Sequence, residues 1–268
     1  MSNPIQLIVH GAAGRMGRRV VALAADDVNF QLIAAIDHQS NPLLGQDAGL
    51  LAGVAASDVA LRADWPDTAH AVIDFSLPTA VDGCLQAALE RRFPLVVATT
   101  GLSEPQKDAL KEADESIPIC WAPSMSMAVN LTMKLTQQIT ETLKSVAGGL
   151  DVEIIERHHR FKADAPSGTA LRFGELIAEK MDGGVKHVQG REGDTGERSR
   201  NEIGYHAVRV GDNPGEHTIV FGMMGERIEL NVAASNRDCY ASGALAAARW
   251  LQGKPKGLYS MFDVLGLS

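Results

Sequence analysis

The residues best equipped for chemistry lie between Glu156 and Thr169. They run Glu156-Arg157-His158-His159-Arg160-Phe161-Lys162, continue through Asp164, and end on Ser167-Gly168-Thr169. Two adjacent histidines flanked by arginines and a lysine concentrate positive charge and proton donors in a chain of net charge −8. Histidine exchanges protons around neutrality because its reference pKa is ~6.5. Ser167 stands just ahead of a helical run from Ala170, where a hydroxyl caps free N–H groups and a glycine lets a ligand come close. Together these parts make a carboxylate pocket, with backbone donors on one side and Lys162 and His159 on the other. A solvated basic loop followed by a capped helix is the competing reading. Adjacent histidines also suit a metal, but neighbours cannot share a helix face and neither an H-E-x-x-H pattern nor a third ligand is apparent, so no metal is expected.

A second feature opens the chain. Gly11-Ala12-Ala13-Gly14-Arg15-Met16-Gly17 follows a strand and begins a helix. Ala12 breaks the strict G-x-G-x-x-G spacing, yet Gly14 and Gly17 fall where close approach to a pyrophosphate and tight helix–strand packing need them. Asp37 closes the next strand, where an acid accepts hydrogen bonds from an adenosine ribose. A dinucleotide site fits better than a tight turn that happens to be glycine-rich. A cysteine nucleophile is a further alternative for the chemistry. However, Cys84 falls in a helix and Cys120 in a buried strand, where a free thiol behaves as a small hydrophobe.

These groups need elements to hold them. Apolar runs at 5–10, 30–37, 71–76, 95–100 and 117–121 alternate with amphipathic helices at 15–25, 79–92 and 104–114. That is the pattern of a parallel sheet covered on both faces. A long helix from Met127 to about Val146 places Met127, Leu131, Leu135, Ile139 and Leu143 in one row. Beyond it, Ile228, Leu230 and Val232 alternate with Arg227, Glu229 and Asn231, as in a half-buried antiparallel strand. The expected fold is α/β: a Rossmann-like dinucleotide-binding domain at 1–126, with 237–268 packing back on it, and an α+β domain at 127–236 with a mixed, largely antiparallel sheet. The polar stretch 183–201 reads as a long mobile loop, since few apolar side chains anchor it.

Composition narrows the function classes. With 45% hydrophobic and 22% charged residues the chain has a normal core. Its acidic balance argues against nucleic-acid or anionic-membrane partners. No apolar run approaches the ~20 residues of a membrane span. No signal peptide is evident at the N-terminus, and three scattered cysteines fit a reducing compartment. A cytoplasmic location is expected.

The pairing of GAAGRMGR with EIIERHHRFKADAPSGTAL resembles the dihydrodipicolinate reductase (4-hydroxy-tetrahydrodipicolinate reductase) family, and so do REGDTGER, VRVGDNPGEHT, GERIEL and the closing GLYSMFDVLGL. The resemblance covers essentially the whole chain in order. It implies reduction of 4-hydroxy-tetrahydrodipicolinate to tetrahydrodipicolinate on the diaminopimelate route to lysine, with NADH or NADPH as cofactor. It implies that Gly11, Ala12, Ala13, Gly14, Arg15 and Met16 cradle the cofactor, with Asp37 and His38 at the adenosine ribose. Ala98, Thr99, Thr100, Ala122, Pro123, Ser124 and Met125 would line the nicotinamide half. His158 is then the proton-donating histidine and Lys162 its partner, while His159, Ser167, Gly168 and Thr169 hold the substrate's carboxylates. A homotetramer joined through the second domain is implied as well. This chain departs from common family patterns at Ala98, at Ser124-Met125, and at His38, where some relatives carry Arg. Two rival readings are a semialdehyde-type dehydrogenase with a cysteine nucleophile and a dinucleotide sensor without activity.

Overall fold

The computed structural model describes residues 3–267. In chain order the elements are β1 (Ile5–His10), α1 (Arg15–Ala25), β2 (Phe30–Ile36), α2 (Ala48–Leu51), β3 (Leu61–Arg62), β4 (Ala71–Asp74), α3 (Pro78–Arg91), β5 (Leu95–Val97), α4 (Glu104–Ala113), β6 (Pro118–Trp121) and α5 (Met127–Leu143). They continue as β7 (Asp151–His158), α6 (Gly168–Ala178), β8 (Lys186–Gln189), β9 (Glu202–Arg209), β10 (Glu216–Met223), β11 (Glu226–Ala233), α7 (Asp238–Trp250), β12 (Gly257–Tyr259) and α8 (Met261–Val264). The chain divides into two compact units, one up to Met127 together with Arg237 onward, the other Ala128–Asn236.

In the first unit a seven-stranded sheet runs in the order β12-β6-β5-β4-β1-β2-β3, and every pairing is parallel. Its strands are apolar on successive residues because both faces are covered. Leu7, Val9, Ile73 and Val96 pack with Val20 of α1 and with Ala244 and Ala248 of α7. Ile8, Val72, Leu95 and Ile119 pack on the other side with Val81 and Leu85 of α3 and Leu110 of α4. The order reverses between β1 and β4, the topological switch point at which open α/β sheets bind ligands. The C-terminal segment adds both a helix, α7, and an edge strand, β12, to this unit.

The second unit holds a five-stranded sheet, β11-β10-β7-β9-β8. It is mixed, with β10 antiparallel to β7 and β11 while β7–β9 and β8–β9 are parallel. Parallel pairing is thus as frequent as antiparallel, because α6 and the segment after β8 each carry the chain back before the next strand begins. The segment expected to be a mobile loop instead contains β8, and residues 190–201 form its return path to β9. Charge anchors that path where apolar side chains are lacking. Arg191 pairs with Glu153 and Glu202, and Arg198 pairs with Glu153 and Asp151.

Helix α5 also departs from expectation. Met127, Leu131 and Leu135 are 40%, 46% and 39% exposed, and the buried side is Val129, Asn130, Met133, Thr136 and Thr140. The threonines tolerate burial because their hydroxyls donate to the helix's own carbonyls, Thr136 to Met133 and Thr140 to Thr136, each at 2.7 Å.

Candidate functional site

In the second unit, strand periodicity builds the site. Along β7 the residues Val152, Ile154, Glu156 and His158 alternate with more exposed neighbours, so the glutamate and the first histidine continue the buried apolar face. The register places His217 of β10 opposite Glu156, and Arg209 of β9 opposite His158. Three strands therefore present Arg209, Glu156, His158 and His217 on one face, against the start of α6. His158 is the last residue of the strand rather than part of the loop, and His159 is the first residue beyond it.

Glu156 is fully buried and organises the cluster. Arg209 donates to both its oxygens, at 2.7 and 2.8 Å, and the Ser167 N–H donates at 3.0 Å. His158 Nδ1 lies 2.6 Å from Oε2. Burial alone would raise the Glu156 pKa, but the Arg209 fork and His158 outweigh it and hold the carboxyl below its ordinary value. A carboxylate only accepts, so the proton of a neutral His158 sits on Nδ1 and Nε2 is the free ring atom. Burial lowers the His158 pKa; Glu156 offsets part of that, while Lys162 and Arg209 add to it. Only the imidazolium has a proton to give from Nε2. Lys162 carries a second one, its ammonium 2.9 Å from Asp164.

The other predicted substrate residues surround the start of α6. The Ser167 side chain is not open to ligand. Its hydroxyl caps α6 by accepting from Ala170 N at 3.2 Å and meets His217 Nε2 at 3.0 Å. Gly168 is exposed, and the space a side chain would take there is open; with the Ala170 N–H taken by Ser167, the Gly168 and Thr169 N–H groups are the first-turn donors left for a ligand. Thr169 is half-buried beside them. His159 Nδ1 is buried with no hydrogen-bond partner among the described residues, an arrangement that favours a bound acceptor or donor.

The first unit holds the nucleotide-type features. Gly11 has φ +74°, and a Cβ there would lie 2.6 Å from the Phe75 carbonyl. A Cβ at Gly17 would lie 2.1 Å from the Gly11 carbonyl, so this glycine lets α1 press on its own turn. Gly14 is the N-cap of α1 without a side-chain cap, and no acid occupies the first turn, as an anion-binding helix start requires. Arg15 is exposed, Met16 and Ala13 are half-buried and Ala12 is buried. Asp37 accepts from Ala13 N at 3.0 Å, His38 N at 2.9 Å and Asn41 Nδ2 at 2.9 Å, which ties the β2 end to the glycine turn. His38 Nδ1 lies 2.7 Å from the Ser40 hydroxyl and 3.2 Å from the Ser40 backbone nitrogen, so that ring nitrogen is engaged within its own turn.

The remaining predicted cofactor residues divide by burial. Thr100 and Pro123 are exposed, whereas Ala98, Thr99, Ala122, Ser124 and Met125 are buried. Thr99 turns inward and donates to Asp74 at 2.6 Å, and Asp74 also meets His10 Nδ1 at 2.7 Å. Thus Asp74, fully buried at the switch point, fixes the strand ends that bear the glycine turn and the Thr99 loop.

Sequence reading counted Glu156 in the cluster without giving it a role, and missed Arg209, His217 and Asp74. The alternation Val152-Ile154-Glu156-His158 carried the signal for Glu156. A rival thiol mechanism finds no support. Burial raises all three thiols, that of Cys120 to about 12, and a thiol is a nucleophile only as thiolate. Among the described residues no helix is long and apolar enough to cross a membrane.

Comparison with known proteins places these features in a lineage. Sequence models for the dihydrodipicolinate reductase N-terminus and C-terminus match residues 5–125 and 128–265. A 4-hydroxy-tetrahydrodipicolinate reductase from Rhodopirellula baltica is 68% identical, covering 100% of this chain and 98% of its own length. The enzyme of that name from Pseudoalteromonas atlantica is 45% identical, covering 98% and 99%. A dipicolinate-bound dihydrodipicolinate reductase from Paenisporosarcina sp. TG-14 superposes with a TM-score of 0.76 at 25% identity, over 97% of this chain and 98% of that one. The chain belongs to the dihydrodipicolinate reductase family.

Proposed function

We propose that this protein reduces 4-hydroxy-tetrahydrodipicolinate to tetrahydrodipicolinate on the diaminopimelate route to lysine, in the cytoplasm. The single observation that carries the reading is the Glu156–His158 pair beside the open start of α6, in a chain of this family. A nicotinamide cofactor, when bound, would supply the hydride for one carbon of the conjugated ring system. The chain's own residues handle the charge and the proton at the neighbouring carbon. His158, in its imidazolium form, and Lys162 stabilise the electron-rich system and supply the proton. His159, Gly168 and Thr169 hold the two carboxylates. Ser167 serves indirectly, by capping the helix that presents them.

Gly11, Gly14 and the uncapped start of α1 fit a dinucleotide pyrophosphate. We infer a preference for NADH with measurable use of NADPH. The Asp37 carboxylate suits ribose hydroxyls and repels a 2′-phosphate, while His38 offers a single N–H where Arg would offer a charged fork. We also infer a homotetramer joined through the sheet face opposite α6. There Ile155 and Val220 are half-buried and Val208 is 39% exposed. A synthase-coupled assay following NADH loss tests the activity. No loss of NADH above background, with substrate formation verified, would refute the assignment.

A further inference from the structure

His217 is the one titratable side chain of the cluster that the proposed chemistry leaves without a task. It is 4% exposed and stands at the second residue of β10, directly opposite Glu156. Three contacts surround its ring. Nε2 lies 3.0 Å from the Ser167 hydroxyl, the hydroxyl that caps α6. The His158 ring meets it edge to face, with centroids 5.3 Å apart and planes at 77°. Phe173 of α6 lies on a further side at 5.9 Å. A single imidazole thus touches both the residue that starts the carboxylate-facing helix and the ring read as the proton donor.

We propose that His217 is a positioning residue for the reductase reaction, holding the Gly168–Thr169 turn in place through Ser167 and the His158 imidazole in place through ring packing. The proposal rests on the reading of Thr169 as a carboxylate ligand and of His158 as a proton donor. Burial and the cations His158 and Lys162 favour a neutral His217 ring and outweigh the carboxylates Glu156 and Glu216, which favour the charged one. Glu156 and His158 face it from β7, Lys162 from the following loop, and Glu216 precedes it on its own strand, with Arg209 of β9 already committed to Glu156. Burial, followed by the charge of His158, lowers its pKa to about 4. A neutral neighbour does not oppose the imidazolium that His158 must form, whereas a lysine or arginine there would.

Two substitutions separate the two contacts. His217→Phe keeps an aromatic ring against His158 but removes the partner of the Ser167 hydroxyl. His217→Gln keeps a polar group near the Nε2 position but removes the ring. We expect His217→Phe to weaken binding of pyridine-2,6-dicarboxylate about tenfold, as loss of a buried hydrogen-bond partner implies, with a parallel rise in KM. His217→Gln should restore binding to within about twofold while letting water reach His158. The limb of the kcat–pH profile that reports its protonation should then move up by roughly half a unit. Thr169→Val is measured alongside. Wild-type binding in Thr169→Val would overturn the carboxylate reading itself. Weakened binding there, with wild-type affinity and pH profile in both His217 variants, would overturn only the role of His217. Equal loss in both His217 variants with an unmoved profile would reduce the residue to a structural one, and the proposal would be wrong.

Discussion

His158 Nδ1 lies 2.6 Å from an oxygen of Glu156, and the same carboxylate is gripped by both terminal nitrogens of Arg209. The imidazole proposed as proton donor is therefore held from behind by a buried anion whose own hold on a proton Arg209 weakens. Glu156→Gln keeps the shape and removes the charge that favours the imidazolium. It also leaves Arg209 without its ion pair. We expect kcat to fall by roughly 10–100-fold, with the His158 limb of the pH profile displaced to lower pH. An unchanged profile would show that the pair is only architectural.

His158→Ala and Lys162→Ala should each retain NADH affinity, because neither residue belongs to the unit that carries the glycine turn. Each should lose about 10²–10⁴ in kcat, the usual worth of general acid catalysis. Fluorescence titration with NADH separates the two quantities. Retention of more than about a third of kcat by both variants contradicts their assignment.

Thr169→Val should chiefly raise KM. The side chain lies at the open start of α6, and its hydroxyl serves a substrate carboxylate in the proposed reading. Pyridine-2,6-dicarboxylate should compete with the substrate. Competition with NADH alone would put the anion site in the other unit.

Acid should weaken the second unit in two steps. The folded-state pKa of His217 is depressed from 6.5 to about 4, so its contribution is intact above pH 6.5 and is lost as pH falls toward 4. A depression of that size is worth on the order of 3 kcal/mol. The pKa of Glu156 is lowered from 4.5, so its contribution is intact above pH 4.5 and disappears below it. Urea unfolding at a series of pH values should show stability declining through the first window in wild type. His217→Gln should make the decline in that window shallower, His158, whose pKa is also lowered from 6.5, supplying the remainder, and should leave the lower window unchanged. Parallel curves for the two proteins would exclude His217 as the source.

In the proposed reading, cofactor choice depends on Asp37 and His38. Replacing His38 with Arg supplies a charged fork and should shift the NADPH to NADH ratio of kcat/KM upward by about tenfold, which corresponds to ~1.4 kcal/mol. A wild-type enzyme favouring NADPH tenfold, or a variant with an unmoved ratio, would show that discrimination lies elsewhere.

Much of this arrangement was legible in the sequence. β1, α1 and the glycine turn followed from short-range rules, because apolar run, glycine spacing and helix pattern coincide there. The mid-chain cluster was legible as chemistry but not as geometry. His158 and Lys162 are near in sequence, whereas Arg209, which grips Glu156, and His217, which packs on the His158 ring, come from strands whose pairing depends on long-range register. Helix α5 misled for a different reason. Its leucine row is the more apolar by composition, yet the buried row includes threonines that satisfy their hydroxyls internally. The segment 190–201 misled because ion pairs, not apolar side chains, fasten it.

That fastening has a consequence of its own. Glu153 receives Arg191, Arg198 and His206 at 2.8, 2.9 and 2.7 Å, so a dozen residues of backbone are secured through one carboxylate and its neighbours. Attraction between partly solvated charges fades as counter-ions accumulate, while the packing of apolar strands does not. Rising ionic strength would therefore release this return path while the sheet beneath it stayed folded. The protein thus carries two kinds of order, one that salt does not weaken and one that it does, meeting at Glu153 and the carboxylates beside it.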